Sequence, residues 1–192
     1  MGREFELKYA ATLEAQAAIL DRFGPFRKIE MQTTYFDTPN GALSAQKITL
    51  RLRKENSVTI CTLKTPCPDG SRGEWECETD EIFNGIRQLV HLGAPQEFLA
   101  LANSQLMAIC GARFERFATE ISTSDGTAEL AVDRGVLLGG GQEAPLCEVE
   151  IELKTGSDSA TEALAHRIAA EFDLTVESQS KFRRAFALAK GE

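Results

Sequence analysis

Carboxylates recur at every second position in two segments of the sequence, and each run ends in a lysine. The residues concerned are Glu4, Glu6 and Lys8 in segment 3–9, and Glu148, Glu150, Glu152 and Lys154 in segment 146–154. If these segments are β-strands, residues two apart point to the same face and lie about 6–7 Å from each other. Two such charges repel by roughly 2–3 kcal/mol at an effective dielectric constant near 20. Each run therefore requires a counter-charge.

A divalent cation provides the counter-charge that such a run requires. Mg²⁺, or Mn²⁺ in its place, binds a few carboxylates, keeps some waters and completes its coordination with substrate phosphates. Arginine and lysine, which suit phosphate oxygens, alternate with apolar residues in other segments, as Arg51, Arg53, Lys64, Arg113 and Arg116. The pattern favours a metal and polyphosphate site. The residues alone leave open that each acidic run is the solvated outer face of an antiparallel sheet.

Alternation of apolar and polar residues predicts the strands that would carry these side chains. The predicted strands are 3–9, 47–54, 57–64, 72–78, 113–121, 128–138 and 146–154. So many strands imply a large antiparallel sheet or a barrel. A closed barrel with a charged interior is one way to bring the polar faces together. Helical patterns lie between the strands, so the predicted class is α+β.

Four helices are predicted from apolar spacing and from residues that can cap a helix. They are 13–23 with Thr12 as N-cap, 81–92 with Thr79 or Asp80, 95–109 with Pro95 in its first turn, and a segment from Asp158 or Ser159 to about Phe172. The triplet Gly139-Gly140-Gly141 is not followed by Lys-Ser/Thr and a helix. It is therefore expected to be a hairpin turn and not a phosphate-binding loop.

Composition limits the classes of function. The 192 residues carry a formal charge of -8 with a pI near 5.0, which argues against a large basic face for nucleic acid or an anionic membrane. We expect one domain over 1–192, and a cytoplasmic protein, since the first residues are charged where a secretory signal is apolar. Five cysteines without C-x-x-C spacing predict reduced thiols, not a zinc site or a disulfide framework.

Several motifs follow one another in a defined order along the chain. They are Glu4-Phe5-Glu6-Leu7-Lys8, Tyr35-Phe36-Asp37-Thr38-Pro39, Leu50-Arg51-Leu52-Arg53, Thr62-Leu63-Lys64, Arg72-Gly73-Glu74, Arg116, Ala131-Val132-Asp133-Arg134-Gly135, the segment from Cys147 to Leu153, and Ser180-Lys181-Phe182-Arg183-Arg184. In content and order this set resembles the CYTH domains of the triphosphate tunnel metalloenzyme superfamily, whose first motif is E-x-E-x-K. The resemblance covers essentially the whole chain.

The resemblance implies an eight-stranded closed antiparallel β-barrel, the triphosphate tunnel, with a charged interior and helices packed outside. It implies that one or two divalent ions are held by Glu4, Glu6, Asp133, Glu150 and Glu152. It implies that phosphates are bound by Arg51, Arg53, Lys64, Arg116, Lys181 and Arg184. Lys8, Glu6 and Glu150 are the expected catalytic residues, with Lys8 or a metal-linked carboxylate positioning the water. The match leaves open the roles of Glu148, Glu74 and Glu76.

The activity implied by the resemblance is metal-dependent hydrolysis of a small-molecule triphosphate. Inorganic tripolyphosphate is favoured, because every matched residue addresses phosphate or metal and none is assigned to a base or sugar. The alternatives are a class IV-type adenylate cyclase, a thiamine triphosphatase, and a non-catalytic polyphosphate-binding module. No nucleic-acid or membrane partner is expected, and the resemblance is compatible with a homodimer.

Overall fold

The computed structural model describes residues 5–67 and 72–191. Strands in this part of the chain form one sheet in the order β5-β4-β3-β2-β6-β7-β8-β1-β9. Each pair of neighbours in that order is antiparallel. The strands are β1 Glu6–Ala10, β2 Arg27–Asp37, β3 Thr49–Glu55, β4 Val58–Pro66, β5 Arg72–Glu78, β6 Met107–Ser122, β7 Thr127–Gly139, β8 Gln142–Thr155 and β9 Thr175–Val176.

Helices accompany the sheet, so the α+β class is confirmed. They are α1 Leu13–Phe23, α2 Ala42–Ala45, α3 Ile82–His91, a 3₁₀ helix Gln96–Asn103, α4 Asp158–Glu171 and α5 Lys181–Lys190. None of the helices in the described ranges has the length and apolar character needed to cross a bilayer.

The predicted closed eight-stranded barrel is wrong, because the sheet is open. In the described residues β5 and β9 are its two edges, and no strand pairing joins them. The second edge of β1 is already occupied, since Tyr9 pairs with Val176 and the Glu177 amide donates to the Lys8 carbonyl. A barrel closes only when its edge strands pair with each other. The segment around β9 prevents β1 from making that pairing.

Some of the predicted elements are confirmed and others are not. Thr12 caps α1, as its side chain accepts a hydrogen bond from the Ala15 amide. Gly140 and Gly141 form the turn between β7 and β8 with φ of 59° and 76°, the left-handed region that such tight hairpins require. The glycine triplet is therefore a hairpin turn, as predicted.

Two predicted helices need correction. The helix predicted over 95–109 is a 3₁₀ helix followed by β6, which begins at Met107. Helix α4 is capped by Ser157, whose hydroxyl accepts from the Ala160 amide, and not by Asp158 or Ser159. Strand β2 and helix α5 were not predicted.

Alternation of side chains gives the sheet an apolar face and a charged face. On the apolar face, helices α1 and α4 pack against β1, β7 and β8, whereas α3 and the 3₁₀ helix pack against β3, β4 and β5. Residues at the centres of these two layers include Ile19 with Ile151, and Leu89 with Cys61. These helices bury this side of the sheet at its two ends, whereas at β2 and β6, between the two layers, the same side carries exposed charges such as Lys28 and Glu115.

Helix α5 packs on the charged face, across its apolar middle. Phe182 contacts Tyr35 of β2 with ring centroids 5.0 Å apart, and Ala185 is fully buried. A Cβ on Gly139 would lie 2.3 Å from the Ala185 carbonyl oxygen, so only glycine allows this close approach. The packing brings the first turn of α5, which begins with Lys181, to the polar part of this face.

Candidate functional site

Cross-strand register gathers the predicted site residues on the charged face. Residues directly opposite each other in an antiparallel pair project to the same side. On one half of the sheet the opposed pairs are Glu6 with Glu152, Lys8 with Glu150, Asp133 with Glu148, and Arg116 with Asp133. On the other half they are Arg51 with Thr62, Thr62 with Glu76, and Lys64 with Glu74, with Arg53 opposite Thr33.

Three carboxylates come together on β7 and β8 and form what we call the carboxylate cluster, which consists of Asp133, Glu148 and Glu150. Their exposed fractions are 0%, 0% and 7%, and one oxygen from each lies within 4.8 Å of the others. Carboxylate oxygens at such spacing are the ligands that hard divalent cations take. Asp133 and Glu150 were predicted as ligands, and Glu148, whose role the sequence left open, lies with them.

The other predicted metal ligands are not in the cluster. Glu6 and Glu152 oppose each other across β1 and β8, on the same face, with side chains about 30% and 29% exposed. Glu6 lies 3.4 Å from Lys8 Nζ, and Glu152 lies 3.0 Å from Lys154 Nζ. Glu4 lies outside the described residues.

Predicted phosphate-binding cations contact the carboxylate cluster. Arg116 donates through Nε and Nη2 to both oxygens of Asp133, at 2.8 and 2.7 Å, and Nη2 also contacts Glu150. Lys181 Nζ lies 2.9 Å from Asp133 and 2.6 Å from Glu150, and also contacts Glu148. A third cation, Arg184, contacts Glu148 and lies 3.3 Å from Glu177.

These contacts determine the ionisation of Glu150 and of the two cations that contact it. Burial raises the pKa of Glu150, but the positive charges of Lys181 and Arg116 outweigh burial and lower it to about 2. Burial lowers the pKa of Lys181, and its carboxylate neighbours, Glu150 first, raise it above its ordinary value. Asp133 and Glu150 in the same way raise the pKa of Arg116 against the effect of burial. Glu150 is therefore ionised throughout the neutral range.

A basic group lies on β3 and β4, where Arg51, Arg53 and Lys64 have side chains that are 15%, 23% and 17% exposed. Burial and the nearby charge of Arg51 lower the pKa of Arg53, and Arg116 adds to this effect. The positive charge of Arg116, which pairs with the carboxylate cluster, therefore contributes to the lowered pKa of Arg53. We call Arg51, Arg53 and Lys64 the basic group.

Each member of the basic group has an acidic neighbour. Arg51 Nη2 lies 3.8 Å from Glu76. Lys64 Nζ lies 3.0 Å from Glu74. Glu74 and Glu76, whose roles the sequence left open, therefore serve as counter-charges on this face.

Two guanidinium N–H groups in the basic group have no hydrogen-bond acceptor among the residues that the structure describes. Arg51 Nε is buried without an acceptor. Arg53 Nε lies 2.7 Å from Glu55 but outside hydrogen-bonding geometry, so it too lacks an acceptor. Buried donors without a partner are costly, and acceptor oxygens such as those of phosphate would satisfy them.

Two residues with clear roles near the site were not predicted from the sequence. Asp37 in the Tyr35–Pro39 motif is buried and accepts from the amides of Thr38, Leu43 and Ser44 at 2.7 to 2.9 Å, so it stabilises the turn into α2. Gln16 of α1 is fully buried and donates to the backbone carbonyl of Asp133. The sequence feature that could have indicated Gln16 is its polar side chain at the start of the buried stripe of α1, whose other residues are apolar.

Comparison with known proteins places the chain among related sequences. The CYTH domain family matches residues 2–186. The inorganic triphosphatase of Haemophilus influenzae is 28% identical over 195 residues, which cover 98% of this chain and 55% of that protein. The chain thus spans about half the length of this curated relative.

Solved structures share the fold. One is HpAC1 from Hippeastrum, which is described as having a dominant triphosphatase activity. It matches with a TM-score of 0.68 and 19% identity, over 100% of this chain and 97% of the HpAC1 chain. The bh2851 protein of Bacillus halodurans, an adenylate cyclase candidate, has a TM-score of 0.65 at 23% identity over 96% of this chain and 98% of its own. At these identities the comparison shows the fold alone.

Proposed function

The chain belongs to the CYTH domain family, and from this premise we propose that it hydrolyses a small-molecule triphosphate with the help of a divalent metal ion, with inorganic tripolyphosphate as the favoured substrate. The main support is the carboxylate cluster, which lies on the same face of the sheet as the basic group. The similarity to a Haemophilus influenzae inorganic triphosphatase agrees with this activity.

A divalent ion fits the donors of the carboxylate cluster. Asp133, Glu148 and Glu150 offer three hard oxygens within 4.8 Å of one another, which suit Mg²⁺ or Mn²⁺. Glu6 and Glu152 offer further carboxylates on the same face. When bound, such an ion neutralises charge on phosphoryl oxygens and lowers the pKa of a coordinated water. Glu148 joins the ligand set that the sequence suggested.

The cations of the charged face would bind and orient the substrate. Arg51, Arg53 and Lys64 would take the oxygens of one end of the triphosphate, where two guanidinium N–H groups have no acceptor within residues 5–67 and 72–191. Arg116, Lys181 and Arg184 would bind the end near the carboxylate cluster. Phosphoryl transfer demands little covalent work from a protein, so alignment and charge stabilisation provide most of the catalysis.

Lys8 would hold the attacking water. It lies opposite Glu150 across β1 and β8, 3.4 Å from Glu6, in the half of the face that holds the cluster. Its ammonium group would donate to the water oxygen, and Glu6 would accept the proton as the bond between water oxygen and phosphorus forms. The bond from phosphorus to the bridging oxygen breaks, and the remaining phosphates leave.

The experiment that tests this function measures release of orthophosphate and pyrophosphate. Tripolyphosphate, ATP and thiamine triphosphate are each supplied with Mg²⁺, with Mn²⁺ or with a chelator. We expect orthophosphate from tripolyphosphate, fastest of the three, and only with metal. Cyclic AMP and pyrophosphate from ATP, without turnover of tripolyphosphate, would identify a cyclase. Binding of tripolyphosphate without turnover of any substrate would identify a binding module.

A further inference from the structure

Gln16 is a polar residue in the apolar layer between α1 and the sheet. It lies on the buried side of α1 with Ile19, and Leu20 and Phe23 continue the stripe at helical spacing. Gln16 is fully buried. An apolar residue of similar size would pack there without the cost of removing an amide from water. The presence of glutamine therefore requires a specific role.

Every polar function of the Gln16 amide is hydrogen-bonded. Its Nε2 donates to the carbonyl oxygen of Asp133 at 2.9 Å and to that of Glu148 at 3.3 Å. Its Oε1 accepts from Arg134 Nε at 3.0 Å. Two amide hydrogens and one oxygen are thus used, which is nearly the full capacity of the group.

The two carbonyls that Gln16 binds belong to residues of the carboxylate cluster. Asp133 and Glu148 lie directly opposite each other on β7 and β8. Their side chains project to the charged face, while Gln16 approaches their backbone from the side covered by α1. The direction of a strand side chain follows from its backbone, so an anchor on both carbonyls also fixes the separation of the two carboxylates.

We infer that Gln16 is a positioning residue of the carboxylate cluster, which holds the backbone of Asp133 and Glu148 at the spacing that a divalent ion requires. This inference rests on the proposed function, in which the cluster binds metal. Groups that orient metal ligands typically affect metal affinity by about 10- to 100-fold. Gln16 would do so without touching the ion.

A purely structural role in docking α1 gives different expectations, and Ile19 provides the matched control. Ile19 lies on the same buried stripe and is also fully buried, but its side chain has no polar atom that could bind a carbonyl. Replacement Ile19→Ala weakens the docking of α1 and leaves the hydrogen bonds of Gln16 in place. Gln16→Met keeps the volume and removes those hydrogen bonds.

Binding of Mn²⁺ to the full chain, measured by electron paramagnetic resonance, distinguishes positioning of the carboxylate cluster from docking of α1. Gln16→Met is expected to weaken Mn²⁺ binding by about 10- to 100-fold, whereas Ile19→Ala changes it less than about twofold. Gln16→Glu keeps an acceptor for Arg134 and loses the N–H donors, so it should resemble Gln16→Met. An equal effect of Gln16→Met and Ile19→Ala, or parental affinity in Gln16→Glu, would overturn the inference.

A second measurement needs no metal and remains valid if the parent protein does not bind Mn²⁺. Urea unfolding in a chelator compares Gln16→Met, Glu148→Gln and the double variant, with Ile19→Ala and Glu148→Gln as the control pair. Effects of residues that act together are non-additive, so we expect non-additivity only for the pair that contains Gln16. Additive effects in both pairs would refute positioning. Gln16→Ala removes the same bonds and replaces Gln16→Met if that variant does not fold.

The two measurements also distinguish this inference from the proposed function. Non-additivity together with a parent protein that binds no Mn²⁺ would mean that Gln16 positions the carboxylates and that the metal-dependent function is wrong. Metal binding by the parent with unchanged affinity in Gln16→Met would leave the function in place and remove Gln16 from the site.

Discussion

Replacement of Glu150 by Gln should change both the stability of the protein and its dependence on pH. Lys181 and Arg116 outweigh burial and lower the pKa of Glu150 from 4.5 to about 2. A carboxylate whose pKa is lower in the folded state than in the unfolded state stabilises the protein at pH values above the unfolded-state pKa. This stabilisation is lost as the pH falls through the folded-state pKa. A difference of about 2.5 pKa units corresponds to ~3 kcal/mol. The parent should therefore lose about 3 kcal/mol between roughly pH 5 and pH 2 through this group.

The measurement is the free energy of urea unfolding between pH 2 and 7 in the presence of a chelator. Glu150→Gln should be less stable at pH 7 by about 3 kcal/mol, since a buried ion pair loses one partner, and should show a shallower decline in acid. Glu152→Gln is the control, because its side chain is 29% exposed and pairs with Lys154. Such a pair contributes under about 1 kcal/mol. Equal acid dependence in the parent and Glu150→Gln would refute the electrostatic reasoning.

Four further outcomes are expected. Mg²⁺ or Mn²⁺ should raise the melting temperature of the parent but not of Glu150→Gln, and an equal shift in both would exclude Glu150 as a ligand. Arg53→Ala should lower kcat/KM for tripolyphosphate at least about tenfold, which corresponds to ~1.4 kcal/mol of transition-state stabilisation. Arg113→Ala should match the parent, because the Arg113 side chain is 64% exposed. Lys8→Ala should lower kcat more than it raises KM, and the reverse would make Lys8 a binding residue. Asp37→Ala should lower the free energy of urea unfolding by roughly 2 kcal/mol or more, since the buried amide of Leu43 and the half-buried amides of Thr38 and Ser44 lose their acceptor; parental stability would contradict that role.

Much of the sheet could be predicted because one face of each strand is covered by helices. Strand β2 was missed although residues from Ile29 to Tyr35 are buried at every second position. The reason is that polar Thr33 is among the buried residues and Glu30 and Gln32 lie between them, so apolar character is a weaker guide there than burial. Helix α5 was missed because three of its first four residues are charged, so the apolar spacing of Phe182, Ala185 and Phe186 is interrupted in the first turn.

The open sheet could not be predicted from alternation. Local pattern indicates which side of a strand is buried, but not which strand lies at its edge. Here the edge of β1 pairs with a strand of two residues, Thr175–Val176, which is too short to give a pattern. Whether the sheet closes into a barrel therefore depends on a contact between distant parts of the chain, here the pairing of β1 with β9.

The site was partly predictable for the same physical reason. Parity along β8 predicts that Glu148, Glu150 and Glu152 share a face, and the register places all three there. Parity does not indicate which of them is buried. Lys181 and Arg184 contact Glu148 from α5, so the role of Glu148 depends on tertiary packing.

The assembly of the carboxylate cluster from several elements has a consequence for how the protein folds. The hydrogen bond from Gln16 to Glu148 joins residues that are 132 positions apart, and Lys181 reaches the same place from α5. Contacts of such long range close large loops and slow folding. The carboxylates of the cluster meet earlier, because β7 and β8 form a hairpin in which Asp133 lies opposite Glu148. Gln16 and Lys181 join them only when distant parts of the chain have come together, so the cluster carries unbalanced negative charge until the sheet and α5 are assembled.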